Sequence, residues 1–202
     1  MTLNAETRLL AAIAYGESSS KDVYEEMAGI ASVMLRQAKA RGFATVSAFV
    51  GKVKSFTFVV KDGNERYGRL MKATEKEIEK DKVLSAAVKA AENAMSDGID
   101  YSNGAYFWDG ADIKSSYSTH FKVARGIHFT HEAHNIYKIK GSEGKFEIAI
   151  TVERRVKGRM VLERKVLGTV SYQYESTAAY GGTIFWKFSD DYLKIKGGKE
   201  YI

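Results

Sequence analysis

Residues 6–37, ETRLLAAIAYGESSSKDVYEEMAGIASVMLRQ, read as two apolar helices joined by a short polar loop. Leu3, Leu9, Leu10 and Ile13 recur at helical spacing and predict one apolar face for the first helix. Val23, Met27, Ile30, Val33, Met34 and Leu35 do the same for the second. Ser20 or Asp22 is the expected cap of that second helix, with Glu25 and Glu26 in its first turn. Between the helices stands AYGESSS, residues 14–20, where a lone carboxylate, Glu17, follows the aliphatic run. Gly16 removes side-chain bulk beside it. Such an acid is either a solvated helix end or a group whose proton is kept for use, because apolar neighbours disfavour its ionised form.

Outward from this stretch, a loop rich in Gly, Lys and Asn covers residues 51–69. A third helix is expected over residues 74–95, opened by a capping box of Thr74 and Glu77. After Gly98 the character changes. Residues 101–108 are aromatic and loop-like, and all four histidines fall between His120 and His134. From Lys145 the period becomes two: Phe146, Ile148, Ile150 and Val152 alternate with Glu147, Ala149, Thr151 and Glu153. Lys157-Gly158 then turns the chain into a strand through Met160, Leu162, Val166, Val170 and Tyr172. A last strand, residues 183–188, follows Gly181-Gly182. The stretch STAAYGGTIFW, residues 176–186, reads equally as a groove wall or as an edge strand with its turn. The order predicts an α+β fold, a helical domain over residues 1–140 and an antiparallel β-hairpin extension over 141–202.

Composition sets outer bounds. The chain has 202 residues, 45% of them hydrophobic and 12% aromatic, enough to bury a core and to exclude general disorder. A formal net charge of +6 favours an anionic partner such as nucleic acid, a membrane surface or an acidic wall polymer. There is no cysteine, so disulfides and thiolate metal sites are excluded. With no proline, turns rely on the 18 glycines together with Asn, Asp and Ser. No apolar run approaches the roughly 18 residues of a membrane-spanning helix. Glu6 and Arg8 interrupt the place of a leader's apolar core, so no signal peptide is expected. The basic residues Arg154, Arg155, Lys157, Arg159, Arg164 and Lys165 have no aromatic interleaved with them. That speaks against nucleic-acid stacking; neither nucleic-acid binding nor membrane insertion is expected.

LLAAIAYGESSSKDVYEEMAGIASVMLRQ resembles the start of the bacterial cell wall hydrolases related to spore-cortex-lytic enzymes. Their pattern is an apolar helix ending in Tyr-Ala-Glu, a small loop, and a second helix of alternating small and aliphatic residues. Tyr15 and Glu17 match it, with Gly16 in place of alanine; Ala28, Ile30, Ala31, Val33, Leu35 and Arg36 follow the second helix. SFTFVVKDGN is similar to the family's Phe-Ser/Thr segment through Phe56, Thr57, Asp62 and Gly63. NGAYFWDGAD is similar to its Gly-Ala-X-Tyr-Phe stretch, and EAHNIYKI to its His-X-Phe-Tyr close through His134 and Tyr137. The chain departs where the family has Asn-Arg (here Arg36-Gln37) and a proline, and residues 141–202 have no counterpart.

The resemblance spans roughly residues 5–140. It implies a lysozyme-like fold, cleavage of peptidoglycan glycan strands, no cofactor, and Glu17 as the catalytic acid. It also implies substrate contact by Tyr15, Phe56, Thr57, Tyr106, Trp108, His134 and Tyr137; aromatic rings such as Tyr106 and Trp108 suit stacking on sugar faces. Two routes are then open. In the lytic route, the preferred expectation, Glu17 protonates the glycosidic oxygen and afterwards takes a proton from the sugar's own 6-hydroxyl. In the hydrolytic route a second carboxylate is needed, and Asp109, Asp112 and Glu175 are its candidates.

Two other readings compete. His128, His131, Glu132 and His134 suggest a metal-dependent wall amidase or peptidase. Their spacing is not that of a His-Glu-X-X-His helix, and in an extended segment His131 points away from the other two, so no metal ligand is expected. The third reading is a non-catalytic basic wall-binding module. A wall hydrolase without a leader is expected to act in the periplasm or wall after delivery by a dedicated secretion system or release by lysis. Its expected protein partner is an immunity or delivery protein.

Overall fold

A computed structural model describes residues 3–53, 60, 63–156 and 159–201. Its centre is α1 (Ala5–Glu17), started by Asn4, whose side chain accepts a hydrogen bond from the Glu6 amide. Every residue from Leu10 to Tyr15 is buried, so the single apolar face expected for this helix is corrected. The helix is enclosed on all sides by α2 (Tyr24–Ala40), α3 (Val46–Lys52), α4 (Glu65–Lys72) and α6 (Lys82–Met95). A helix apolar all round is stable only in such a place, and side chains like Leu10 and Ile13 each contribute about 1.5–3 kcal/mol there. Its few polar residues fix the ends of neighbouring helices. Glu6 accepts from the Val46 amide at 2.7 Å, at the N-terminus of α3, and Arg8 donates to the Ala73 carbonyl at 2.6 Å, just past α4.

Three helix features differ from the sequence expectation. The loop expected over residues 51–69 gives way to α4 from Glu65, because Asn64 accepts from the Tyr67 amide at 2.9 Å and caps a new helix. Neither Ser20 nor Asp22 caps α2; Val23 stands there with no side-chain bond. The long helix over 74–95 is two helices, α5 (Glu75–Lys80) and α6. The Thr74–Glu77 capping box opens the first. Asp81 restarts the second, accepting from the amides of Val83 and Leu84 at 2.9 and 3.1 Å, and an aspartate able to satisfy two free amides makes a new start favourable.

Beyond the helices lies a mixed four-stranded sheet of order β1-β6-β5-β2. It comprises β1 (Phe107–Asp109), β2 (Ile127–His128), β5 (Tyr174–Tyr180) and β6 (Thr183–Phe188). β1 and β5 run antiparallel to β6, whereas β2 is parallel to β5, so the sheet is not wholly antiparallel. Its strands come from both sides of residue 140. Ala178 and Phe185 carry one face onto the helical core; Tyr174, Ile184, Trp186 and Phe188 form a second core on the other. The sheet packs tightly on the helices at Gly29 of α2, where an added Cβ would sit 2.5 Å from the tip of the Phe185 ring. Short helices α7 (Asp112–Ser115), α8 (Phe121–Arg125) and α9 (Asp190–Lys196) and one 3-10 turn, Glu132–His134, complete the described chain.

The hairpin of β3 (Phe146–Val156) and β4 (Arg159–Val170) forms a separate two-stranded ribbon. The period-two reading of its first strand holds; its second ends before Tyr172. Only the base is buried, through Ile148, Val170 and the packing of Gly168 against Ile195 of α9. The expected Lys157-Gly158 turn lies outside the described residues, as do Phe56 and Thr57.

Candidate active site

Glu17 is the last residue of α1, an end whose carbonyls are bound by side chains from a later part of the chain. The Gly16 carbonyl accepts from Asn64 Nδ2 at 3.0 Å, and the Tyr15 carbonyl from Arg66 Nε at 2.8 Å. Arg66 also stacks on the Tyr15 ring, 3.9 Å from its centroid, and reaches Asp22 at 2.8 Å and Ser18 Oγ at 3.0 Å. Positive groups at a helix C-terminus complement its free carbonyls and its dipole. Tyr15 is buried, with its hydroxyl accepting from Arg69 at 2.9 Å. It therefore supports the end of α1 from within.

Burial beside this core pushes the Glu17 carboxyl above its ordinary value. Trp108 of β1 opposes that shift, its Nε1–H donating to Glu17 Oε2 across 3.4 Å, and the negative charge of Asp112 adds to it. The structure thus brings Trp108 into contact with Glu17, with the charge of Asp112 acting on it through space. Tyr137 closes the same region. Its hydroxyl donates to the Gly182 carbonyl, and burial, with the charges of Glu26 and Asp112, makes it a weaker acid than usual.

A residue that the sequence presented as an ordinary first-turn acid holds this arrangement together. Glu26 is fully buried, and its carboxylate accepts four hydrogen bonds. Two come from the amide and hydroxyl of Ser19, at 3.0 and 2.8 Å, and two from the Gly182 amide and Thr183 Oγ1, at 3.0 and 2.8 Å. The loop after Glu17 is thereby locked to the β5–β6 turn. Gly181 in that turn has φ +58°, and an added Cβ would lie 2.0 Å from Glu26 Oε2, so glycine is required twice over.

Asp109 is buried and bound by the buried Lys122 ammonium at 2.8 Å. His120 Nε2 lies between Asp109 Oδ1 at 3.4 Å and the exposed Asp112 Oδ2 at 3.5 Å. Asp109, Asp112 and His120 place ligand atoms within 4.8 Å of one another, and Asp109 Oδ2 and His120 Nδ1 find no hydrogen-bond partner among the described residues. Lys122 nevertheless neutralises Asp109 on the very oxygen that faces His120. A divalent ion there would meet an ammonium on its own ligand, so the cluster fits an internal ion pair better than a metal centre.

Other candidates lie apart. Tyr106 contacts the second half of α2, with Arg36 over its ring and its carbonyl accepting from Gln37. Glu175 pairs with Lys187 across β5 and β6 at 3.1 Å. His134 bonds Ser176 Oγ at 2.9 Å, and burial, then the neighbouring His131, lowers its pKa so that it is neutral near pH 7. His128 bonds Glu143 at 2.6 Å and stacks on Tyr172, while His131 accepts from the Ala133 amide. Among the described residues, the histidines at 128, 131 and 134 form no shared ligand set. A cavity of about 550 Å³ lies between α2, α3 and the end of α6, lined by Glu6, Arg36, Phe43 and Asp100; Glu17 does not line it. Geometry and charge therefore mark the Glu17 region, not cavity size. Comparisons with protein-family models, curated proteins and solved structures find no match to this chain.

Proposed function

We propose that this chain cleaves the glycan strands of peptidoglycan, with Glu17 as general acid at the end of the central helix of a lysozyme-like domain. The observation that carries this reading is a carboxylic acid pushed toward its protonated form by burial, beside an indole donor and a second carboxylate. A protonated carboxyl is the group needed to protonate the leaving oxygen between two sugars. With Oε2 engaged by Trp108, Oε1 is the oxygen left to carry the proton. Asp112 has a side chain 63% exposed and steadied by His120. It is the carboxylate available to stabilise the oxocarbenium-like state or to take a proton from water.

This favours the hydrolytic route over the lytic one. Water adds to the anomeric carbon, the bond to the leaving sugar breaks, and the proton from Glu17 ends on that sugar's hydroxyl. Trp108 and Tyr137 supply the aromatic wall for the sugar rings. The net charge of +6 favours approach to an anionic wall in the periplasm or outside it, where an immunity or delivery protein is the fitting protein partner. Purified peptidoglycan incubated with the wild-type chain and with Glu17→Gln tests the proposal. The variant is expected to release soluble fragments roughly 10²–10⁴-fold more slowly. Equal release by both proteins removes Glu17 from the chemistry.

A further inference from the structure

The β3–β4 hairpin is long, two-stranded and buried only at its base. A free two-stranded ribbon is marginal in water, yet this one exposes large apolar residues along its outer half. Met160 is 60% exposed, Val161 45% and Leu162 68%, with Val166 exposed behind them. Strand pairing sets the faces. Met160 lies opposite Arg155 and Leu162 opposite Glu153 on one face, whereas Val161 lies opposite Arg154 on the other. Around them Arg154, Arg155, Arg159, Arg164 and Lys165 outnumber Glu153 and Glu163. Arg154 pairs with Glu163 at 3.6 Å and Arg164 with Glu147 at 2.8 Å. Arg155, Arg159 and Lys165 form no ion pair among the described residues.

We propose that the described strand residues 153–155 and 159–166 of this hairpin dock on the surface of an anionic lipid bilayer. Its basic residues meet lipid phosphates, and Met160, Val161 and Leu162 sink into the interface between headgroups and acyl chains. Three features of the ribbon select this occupant. Apolar side chains on both faces suit a medium that surrounds the ribbon, whereas a protein surface covers one face. A soluble polyanion would use the cations and leave the exposed Met160 and Leu162 in water. A second copy of the chain would bring the same excess of positive charge against itself. Interfacial binding, by contrast, draws on both terms together, buried apolar area and attraction of Lys and Arg to anionic headgroups. The contact is superficial: no helix among the described residues is long and apolar enough to cross a membrane.

Sedimentation with vesicles tests this without reference to wall cleavage. The wild-type chain is expected to bind vesicles of equal parts phosphatidylglycerol and phosphatidylcholine at least about tenfold more tightly than phosphatidylcholine alone. The pair Met160→Ser and Leu162→Ser keeps every charge and is expected to lose about tenfold in that binding. Arg155→Glu with Arg159→Glu is expected to abolish the preference for anionic vesicles. All four positions are exposed, and matched melting temperatures show that the fold is intact. No preference of the wild-type chain for anionic vesicles overturns the proposal. So does unchanged binding by the serine variant together with equal binding to soluble teichoic acid, which makes the hairpin a polyanion site. A dimer seen by light scattering and lost in the serine variant assigns the surface to a second copy and also overturns it.

Discussion

The chemistry proposed for Glu17 rests on where one carboxylate ends up. Its folded pKa lies above the ordinary 4.5, so the stability it contributes is full below that pH and is lost as the pH rises through the raised value. Glu17→Gln, which cannot ionise, is therefore expected to melt at a higher temperature than wild type at pH 7. The gap should close as the pH falls toward 4.5, and thermal melts across that range check it. As the proposed general acid Glu17 must also be protonated to act, so turnover is expected to fall as pH rises through the same pKa. Asp112→Asn is expected to slow turnover by removing the proposed second carboxylate. In the residual activity it also removes a charge that raises this pKa, so the alkaline limb of the pH–rate profile should move to lower pH. Trp108→Phe removes a hydrogen bond that lowers it and should move the limb the other way. Shifts in one direction for both variants would contradict the electrostatics described. At this scale Glu17 was legible in the sequence as a candidate, because an acid after an aliphatic run is locally visible. Glu26 was invisible for a physical reason. Two of its four donors, Gly182 and Thr183, lie more than a hundred and fifty positions along the chain, and nothing beside Glu26 announces them.

At the scale of elements, the contact between α2 and the sheet sets how accurately the β5–β6 turn faces Glu17. Gly29→Ala gains about 1 kcal/mol of helix propensity, but its methyl would press on the Phe185 ring from 2.5 Å. Overpacking of that kind costs about 1–3 kcal/mol, so denaturant titration should show a net loss of stability. Glu26→Ala should cost more, roughly 3 kcal/mol, because it strands several buried donors together. If either variant is as stable as wild type, the helix–turn lock is misassigned. Periodicity predicted α2, the first hairpin strand and the last strand well, since each repeats along a contiguous stretch, but it missed α4, where Leu70 alone is buried and no apolar face repeats. It failed on α1, where burial on every side erases the amphipathic signal, and on the break at Asp81, where one capping side chain outweighs continuing helical propensity. β1 and β2 are two or three residues long and gain their identity from strands far along the chain, so no local pattern marks them.

For the whole molecule, the sheet draws strands from before and after residue 140, and the site lies where the helical part meets it. Glu17 comes from the helices, Trp108 from the first strand, Asp112 from the start of α7 just after it, and Gly182 from the last hairpin. Tertiary assembly creates this meeting place, which is why the sequence left three candidate second carboxylates undistinguished, whereas in the fold the charge of Asp112 acts on Glu17. It also bears on metal dependence. With Lys122 seated on Asp109, EDTA is expected to leave wall cleavage unchanged, and loss of activity restored by added zinc or calcium would give the Asp109–Asp112–His120 cluster that role. The bond that is broken is the decisive point. Mass analysis of fragments from purified peptidoglycan should show cut glycan chains with reducing ends and intact stem peptides, absent with Glu17→Gln. Cut stem peptides on intact glycan chains would contradict glycan cleavage outright.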